Sequence, residues 1–121
     1  MQNPANLQVT ALARALASEV YRATGAFPHS ERFGLTAQMR RAVISIGSNI
    51  SEGCGRSGDK EFTHFLHVAL GSASELEFQA LVATDLEFLS HENSQLLLNE
   101  ISRAKRMLAR LIKAVRARRS G

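Results

Sequence analysis

The sequence predicts an all-α fold, an antiparallel up-down-up-down bundle of four helices forming a single domain over residues 1–121. Three observations carry that expectation. Apolar residues recur at spacings of three and four in four separate stretches, the period of an amphipathic helix. The connections between those stretches are short, and short connections make consecutive helices antiparallel neighbours. No apolar–polar alternation long enough for a strand occurs anywhere in the chain.

The first helix opens at Asn3-Pro4, with Asn3 as cap and Pro4 at the first helical position. Leu7, Val9, Leu12, Ala13, Leu16, Val20 and Tyr21 mark its apolar side to about Ala23, and Thr24-Gly25 ends it. Ala26 to Gly34 reads as a loop in which Phe27 and Phe33 plug the end of the bundle. The second helix opens near Thr36, and Leu35, Met39, Ala42, Val43, Ile46 and Ile50 lie on one side of it. Beside them runs a polar strip of Gln38, Arg41, Ser45, Asn49 and Glu52. A buried polar atom without a partner costs about 1–3 kcal/mol, so this strip is expected to bond another helix or a second subunit. Gly53 and Gly55 are expected to end the helix in a left-handed cap.

A third helix starts at Ser57 or Asp59, either of which serves as a cap, with acidic Asp59 and Glu61 in its first turn. Its core side is Phe62, Phe65, Leu66, Ala69, Ala73, Leu76 and Ala80. A second apolar group, Val68, Phe78, Val82 and Leu86, falls roughly opposite and reads as a subunit interface. Gly71, unfavourable in mid-helix, suggests close approach of another helix. Ser90 caps the fourth helix, whose Leu97, Ile101, Ala104, Leu108, Leu111 and Val115 are spaced 4-3-4-3-4 like a coiled-coil seam.

The hydrophobic fraction of 45% with 21% charged is globular rather than disordered composition. The apolar runs are too short for a membrane span, and the first residues lack the pattern of a secretory signal. Cys54 is the only cysteine, which suits a reducing cytoplasm. The net charge of +4 is unevenly spread. Between Glu52 and Glu100 the only bases are Arg56 and Lys60, among nine acids. From Arg103 onward no acid occurs, against Arg103, Lys105, Arg106, Arg110, Lys113, Arg116, Arg118 and Arg119. Arg103, Arg106, Arg110 and Lys113 form a stripe opposite the apolar seam, extended by Arg116, Arg118 and Arg119. Such a face suits the phosphates of nucleic acid, or an acidic face on another copy of the chain.

Catalytic and metal chemistry find no support in the residues. Glu61-Phe62-Thr63-His64 is a single Glu-x-x-His, and a di-iron bundle needs two. The glycines precede no Gly-Lys-Ser/Thr phosphate loop. No cofactor or metal is expected, and the chain reads as a non-enzyme. Aromatics for stacking single-stranded bases are scarce, with no Trp and Tyr21 assigned to the core, so nucleic-acid binding would be salt-sensitive, driven by the phosphate backbone and weak in sequence preference.

One stretch is specific enough to suggest a family. Gln38-Met39-Arg40-Arg41-Ala42, Ser45-Ile46, Asn49-Ile50, Glu52-Gly53 and Arg56 resemble the four-helix-bundle proteins encoded by intervening sequences of bacterial 23S ribosomal RNA genes. Glu61-Phe62, Phe65-Leu66, Ala69-Leu70-Gly71-Ser72 and Glu75-Leu76 continue the resemblance, and Phe27-Pro28, Glu31 and Gly34-Leu35 fit the first loop. The chain is also similar to the accessory protein of diversity-generating retroelements, a basic pentameric barrel that binds nucleic acid and a reverse transcriptase. The resemblance implies a homopentameric ring and RNA or DNA as partner, and carries over no catalytic residues. The alternative is a structural or adaptor ring that binds another protein. There the basic fourth helix of one subunit faces the acidic third helix of the next, a head-to-tail contact that closes into a ring.

Overall fold

The computed structural model describes residues 3–120, the side chains of Arg119 and Ser120 excepted. It contains helices α1 (Pro4–Gly25), α2 (Leu35–Cys54), α3 (Asp59–Asp85) and α4 (His91–Ser120), with a 3-10 turn at His29–Glu31. Each helix packs against its sequence neighbours, and α4 closes the bundle against α1. Contacting residues set the directions. Ala13 and Thr24 of α1 meet Gly47 and Arg40 of α2. Ser45 and Gly53 of α2 meet Ser72 and Phe62 of α3. Thr84, Glu77 and Asp59 of α3 meet Ser94, Lys105 and Arg118 of α4. In each pair one number rises as the other falls, so neighbouring helices are antiparallel.

Helix α1 begins as its sequence dictates, the Ala5 amide donating to Asn3 Oδ1 at 2.8 Å. Val9, Leu12, Ala13, Leu16 and Val20 are buried, but Leu7 and Tyr21 are exposed. The helical period explains both departures from expectation. Leu7 is nine residues from Leu16, a half-turn out of phase, and Tyr21 is rotated by about 100° from Val20. Phe27 does plug the end of the bundle, its ring 5.4 Å from that of Phe88. Phe33 does not: it is 83% exposed, on the tip of the connection. Next to it, the Glu31 carboxylate accepts from the Leu35 amide at 3.1 Å and caps α2. A side chain at Gly34 would collide with that carboxylate, 2.8 Å from where its Cβ would sit.

The expected left-handed glycine cap of α2 is absent. Gly55 is right-handed, with φ −83°, and Gly53 lies within the helix. The reason for Gly53 is contact: a Cβ there would stand 2.9 Å from Phe62 Cδ1 and from Phe65 Cβ. Neither Ser57 nor Asp59 caps α3. Gly58 occupies the cap position without a side-chain bond, and the Asp59 carboxylate is engaged by Arg118 instead. The core side of α3 is as expected apart from Phe65, which is half-buried, and it gains Thr63, Gln79 and Ala83. No neighbour stands within 4 Å of a Cβ built at Gly71, so the close approach expected there is not met among the described residues.

The end of α3 shows a feature the sequence does not announce. Glu87 adopts φ 63°, the left-handed region. The Phe88 amide bonds Ala83 O and the Glu87 amide bonds Thr84 O, a Schellman closure that normally uses glycine at this position. The turn brings Phe88 onto Phe27 and lets Ser90 Oγ accept from the Asn93 amide at 3.0 Å, capping α4. The whole seam of α4 from Leu97 to Val115 is buried, with Ile112 added.

Two substitutions test these readings in urea unfolding. Gly53→Ala is expected to cost about 1–3 kcal/mol, as overpacking does. Glu87→Gly is expected to stabilise by about 1 kcal/mol, because it removes the left-handed strain of a non-glycine residue.

Candidate nucleic-acid interface

Helix α4 needs only its apolar seam for packing, so its other face is left to solvent. Arg103, Arg106, Arg110 and Lys113 are all exposed there. The first and last are ten positions apart, about 15 Å along the helix axis. The Arg106 guanidinium donates to Ser102 Oγ at 2.7 Å. None of the four is in a salt bridge among the described residues. Between α1 and α4 lies a surface groove of about 800 Å³, with Arg103 and Arg110 along its α4 side and a floor of Leu12, Met107 and Leu111.

The expected extension of the stripe turns away toward α3. Arg118 donates to both carboxylate oxygens of Asp59, at 3.0 and 3.1 Å, and this bond raises the guanidinium's already high pKa. Arg116 lies 2.9 Å from His67 Nε2. The side chain of Arg119 lies outside the described residues. Lys105 joins the α3 side through Glu77 at 3.0 Å. The phosphate-holding residues predicted from the sequence therefore divide into an open set of four and a pair engaged with α3.

Of the predicted subunit-contact group on α3, Val68, Phe78 and Leu86 are exposed and Val82 is half-buried. Phe78 is 67% exposed, and Leu81 is exposed nearby on the same helix. The polar strip of α2 is only partly engaged. Ser45 Oγ and Ser72 Oγ are 2.8 Å apart, and Asn49 Nδ2 donates to Ser45 O and Oγ. Glu52 pairs with Arg56, just past the end of α2, at 3.2 Å, while Gln38 and Arg41 face solvent. Gln38, Arg41, Ser45 and Glu75 line a second surface groove, of about 740 Å³, together with Gln79. Gln79 is 6% exposed, and its Oε1 has no hydrogen-bond partner among the described residues.

Sequence reasoning missed the environment of Tyr21. The Arg40 guanidinium sits 4.5 Å from the centre of its ring. Arg40 is held there by Nε donating to Thr24 Oγ1 at 2.9 Å and by Nη2 donating to Tyr21 O at 3.3 Å. The signal was available in the helical phase of Tyr21 relative to Val20. No group of three or more His, Cys, Asp or Glu side chains suited to a metal ion occurs among the described residues. No helix among them is long and apolar enough to cross a membrane.

These features define a class: an all-helical four-helix bundle with an exposed cationic face on its last helix. The chain belongs to the 23S rRNA-intervening sequence protein family, whose model matches residues 5–110. A crystal structure of a protein of unknown function from the S23 ribosomal protein family of Bacteroides thetaiotaomicron has the same fold. Its TM-score is 0.84 at 22% identity, covering 90% of this chain and 98% of that one. None of the curated proteins compared with the chain matches it in sequence.

Cys54, half-buried at the end of α2, has its thiol pKa pushed up by burial. The thiolate is the reactive form. Alkylation by iodoacetamide is therefore expected to be slower in the folded protein than in the urea-denatured chain. Its rate should climb with pH later in the folded protein than in the denatured chain.

Proposed function

We propose that the protein is a non-enzymatic, homo-oligomeric nucleic-acid-binding protein of the cytoplasm, holding phosphates on the exposed face of α4. The observation that carries this reading is the row of Arg103, Arg106, Arg110 and Lys113, exposed and in no salt bridge among the described residues. Mixed-sign faces are the usual outer surface of a helix, and this one holds a single sign over several turns. A ring, pentameric as the family resemblance implies, repeats the face in every subunit and multiplies its contacts with one RNA or DNA. The exposed Val68 and Phe78 of α3, with Leu86 just beyond its end, supply apolar surface for the contact between subunits.

A second reading has its own support. Glu61, Glu75 and Asp85 are exposed on α3. A ring that sets this acidic face of one subunit against α4 of the next would use the cations in assembly and act as an adaptor for another protein.

Exchanging Arg106→Glu and Arg110→Glu together separates the two. Under the nucleic-acid reading, affinity for a short RNA falls by about tenfold or more, and light scattering gives the wild-type mass. With four cations each neutralising a phosphate, log K of the wild type falls with log salt at a slope of about −3 to −4 per subunit engaged. Under the adaptor reading the oligomer itself dissociates.

A further inference from the structure

The α1–α2 end of the bundle carries two aromatic rings that the core does not use. Tyr21 is 44% exposed and Phe33 is 83% exposed. Each has a guanidinium over its ring, Arg40 at 4.5 Å and Arg32 at 4.6 Å from the ring centre. The half-buried Arg40 is held in place by donating to Thr24 Oγ1 and Tyr21 O, which fixes its guanidinium against the ring. From Tyr21 and Arg40 the groove of about 740 Å³ leads past Gln38 and Arg41. The surroundings are cationic, with Arg22, Arg32 and Arg41 exposed. Of the nearby carboxylates, Glu31 is spent on capping α2, and Glu75 stands on the α3 side of the groove.

We propose that these two arginine–aromatic stacks bind unpaired bases of a single-stranded nucleic acid, at a site separate from the cationic face of α4. A flat guanidinium and an open ring are the two surfaces on which proteins stack splayed bases. A duplex keeps its base faces inside its own stack and cannot offer them. Arg41, in the lining of the same groove, supplies a cation for a neighbouring phosphate. The site uses Tyr21, which the structure places at the surface and not in the core, and selects single strands where the α4 face is indifferent. It rests on the nucleic-acid reading above.

The test uses the full chain with a short oligoadenylate and a loop-free duplex of two complementary RNA strands of similar charge. Tyr21 is the only tyrosine and there is no tryptophan, so the protein's tyrosine emission, excited beyond phenylalanine absorption, reports on this ring alone. Oligoadenylate is expected to quench that emission, and the duplex to leave it unchanged. Tyr21→Leu with Phe33→Leu keeps apolar bulk at two exposed positions and removes the rings. It is expected to weaken oligoadenylate binding about tenfold or more, to leave duplex binding within about twofold, and to preserve the mass in light scattering. Equal losses on strand and duplex, no loss on either, or a changed mass with RNA binding intact would each overturn the proposal; the last would mark the rings as a contact between copies. The Arg106→Glu, Arg110→Glu chain keeps the two readings apart. If it binds both RNAs like wild type while quenching persists, the α4 face falls and this site stands. If wild type binds neither RNA, both fall.

Discussion

The close approach of α2 and α3 is the constraint on which the rest of the bundle depends. At one end it requires a residue without a side chain, Gly53, against Phe62 and Phe65. In the middle it brings Ser45 Oγ within 2.8 Å of Ser72 Oγ. On α3 the fully buried Ala69, Ala73, Ala80 and Ala83 keep that helix slender where others pack against it. Met39, Ile46 and Ile50 from α2, with Ile101 and Leu108 from α4, supply the volume that α3 withholds. Small residues facing large ones allow the dense, interlocked packing of a protein interior.

A slender inner side leaves α3 with its larger apolar residues outside. Val68, Phe78, Leu81 and Leu86 are exposed because the positions facing inward are taken by alanines and by Leu66 and Leu76. The same geometry governs the charges. Lys105 and Arg118 reach α3 carboxylates, and Arg103, Arg106, Arg110 and Lys113 point away from them. Exposed ion pairs contribute about 0–1 kcal/mol each, so pairing does little for stability. Segregating the signs instead builds a field across the surface.

Much of the fold was legible from local pattern. The seam of α4, the cap at Asn3, the cap at Ser90 and the core stripes of α2 and α3 follow from periodicity and capping chemistry. The cationic face was legible for the same reason: residues opposite a buried seam on a regular helix are exposed. What was misread depended on residues distant in sequence. Gly53 looks like a helix stop until Phe62 is placed against it, and Asp59 looks like a cap until Arg118 claims it. Glu87 carries no turn signal at all, yet takes the left-handed position because the α3–α4 corner must close there.

By itself, the sequence determined the number of helices, their buried sides and the single-signed face of α4, because each is a property of one helix and its period. Tertiary structure alone decided which polar groups find partners. Ser45 meets Ser72, Arg116 and Arg118 are drawn to His67 and Asp59, and Gln79 Oε1 is left without a partner among the described residues. It also decided that Tyr21 and Phe33 stand at the surface beside arginines. The physical reason is that a helical period specifies a direction around an axis, whereas a contact also requires knowing what stands in that direction and how near.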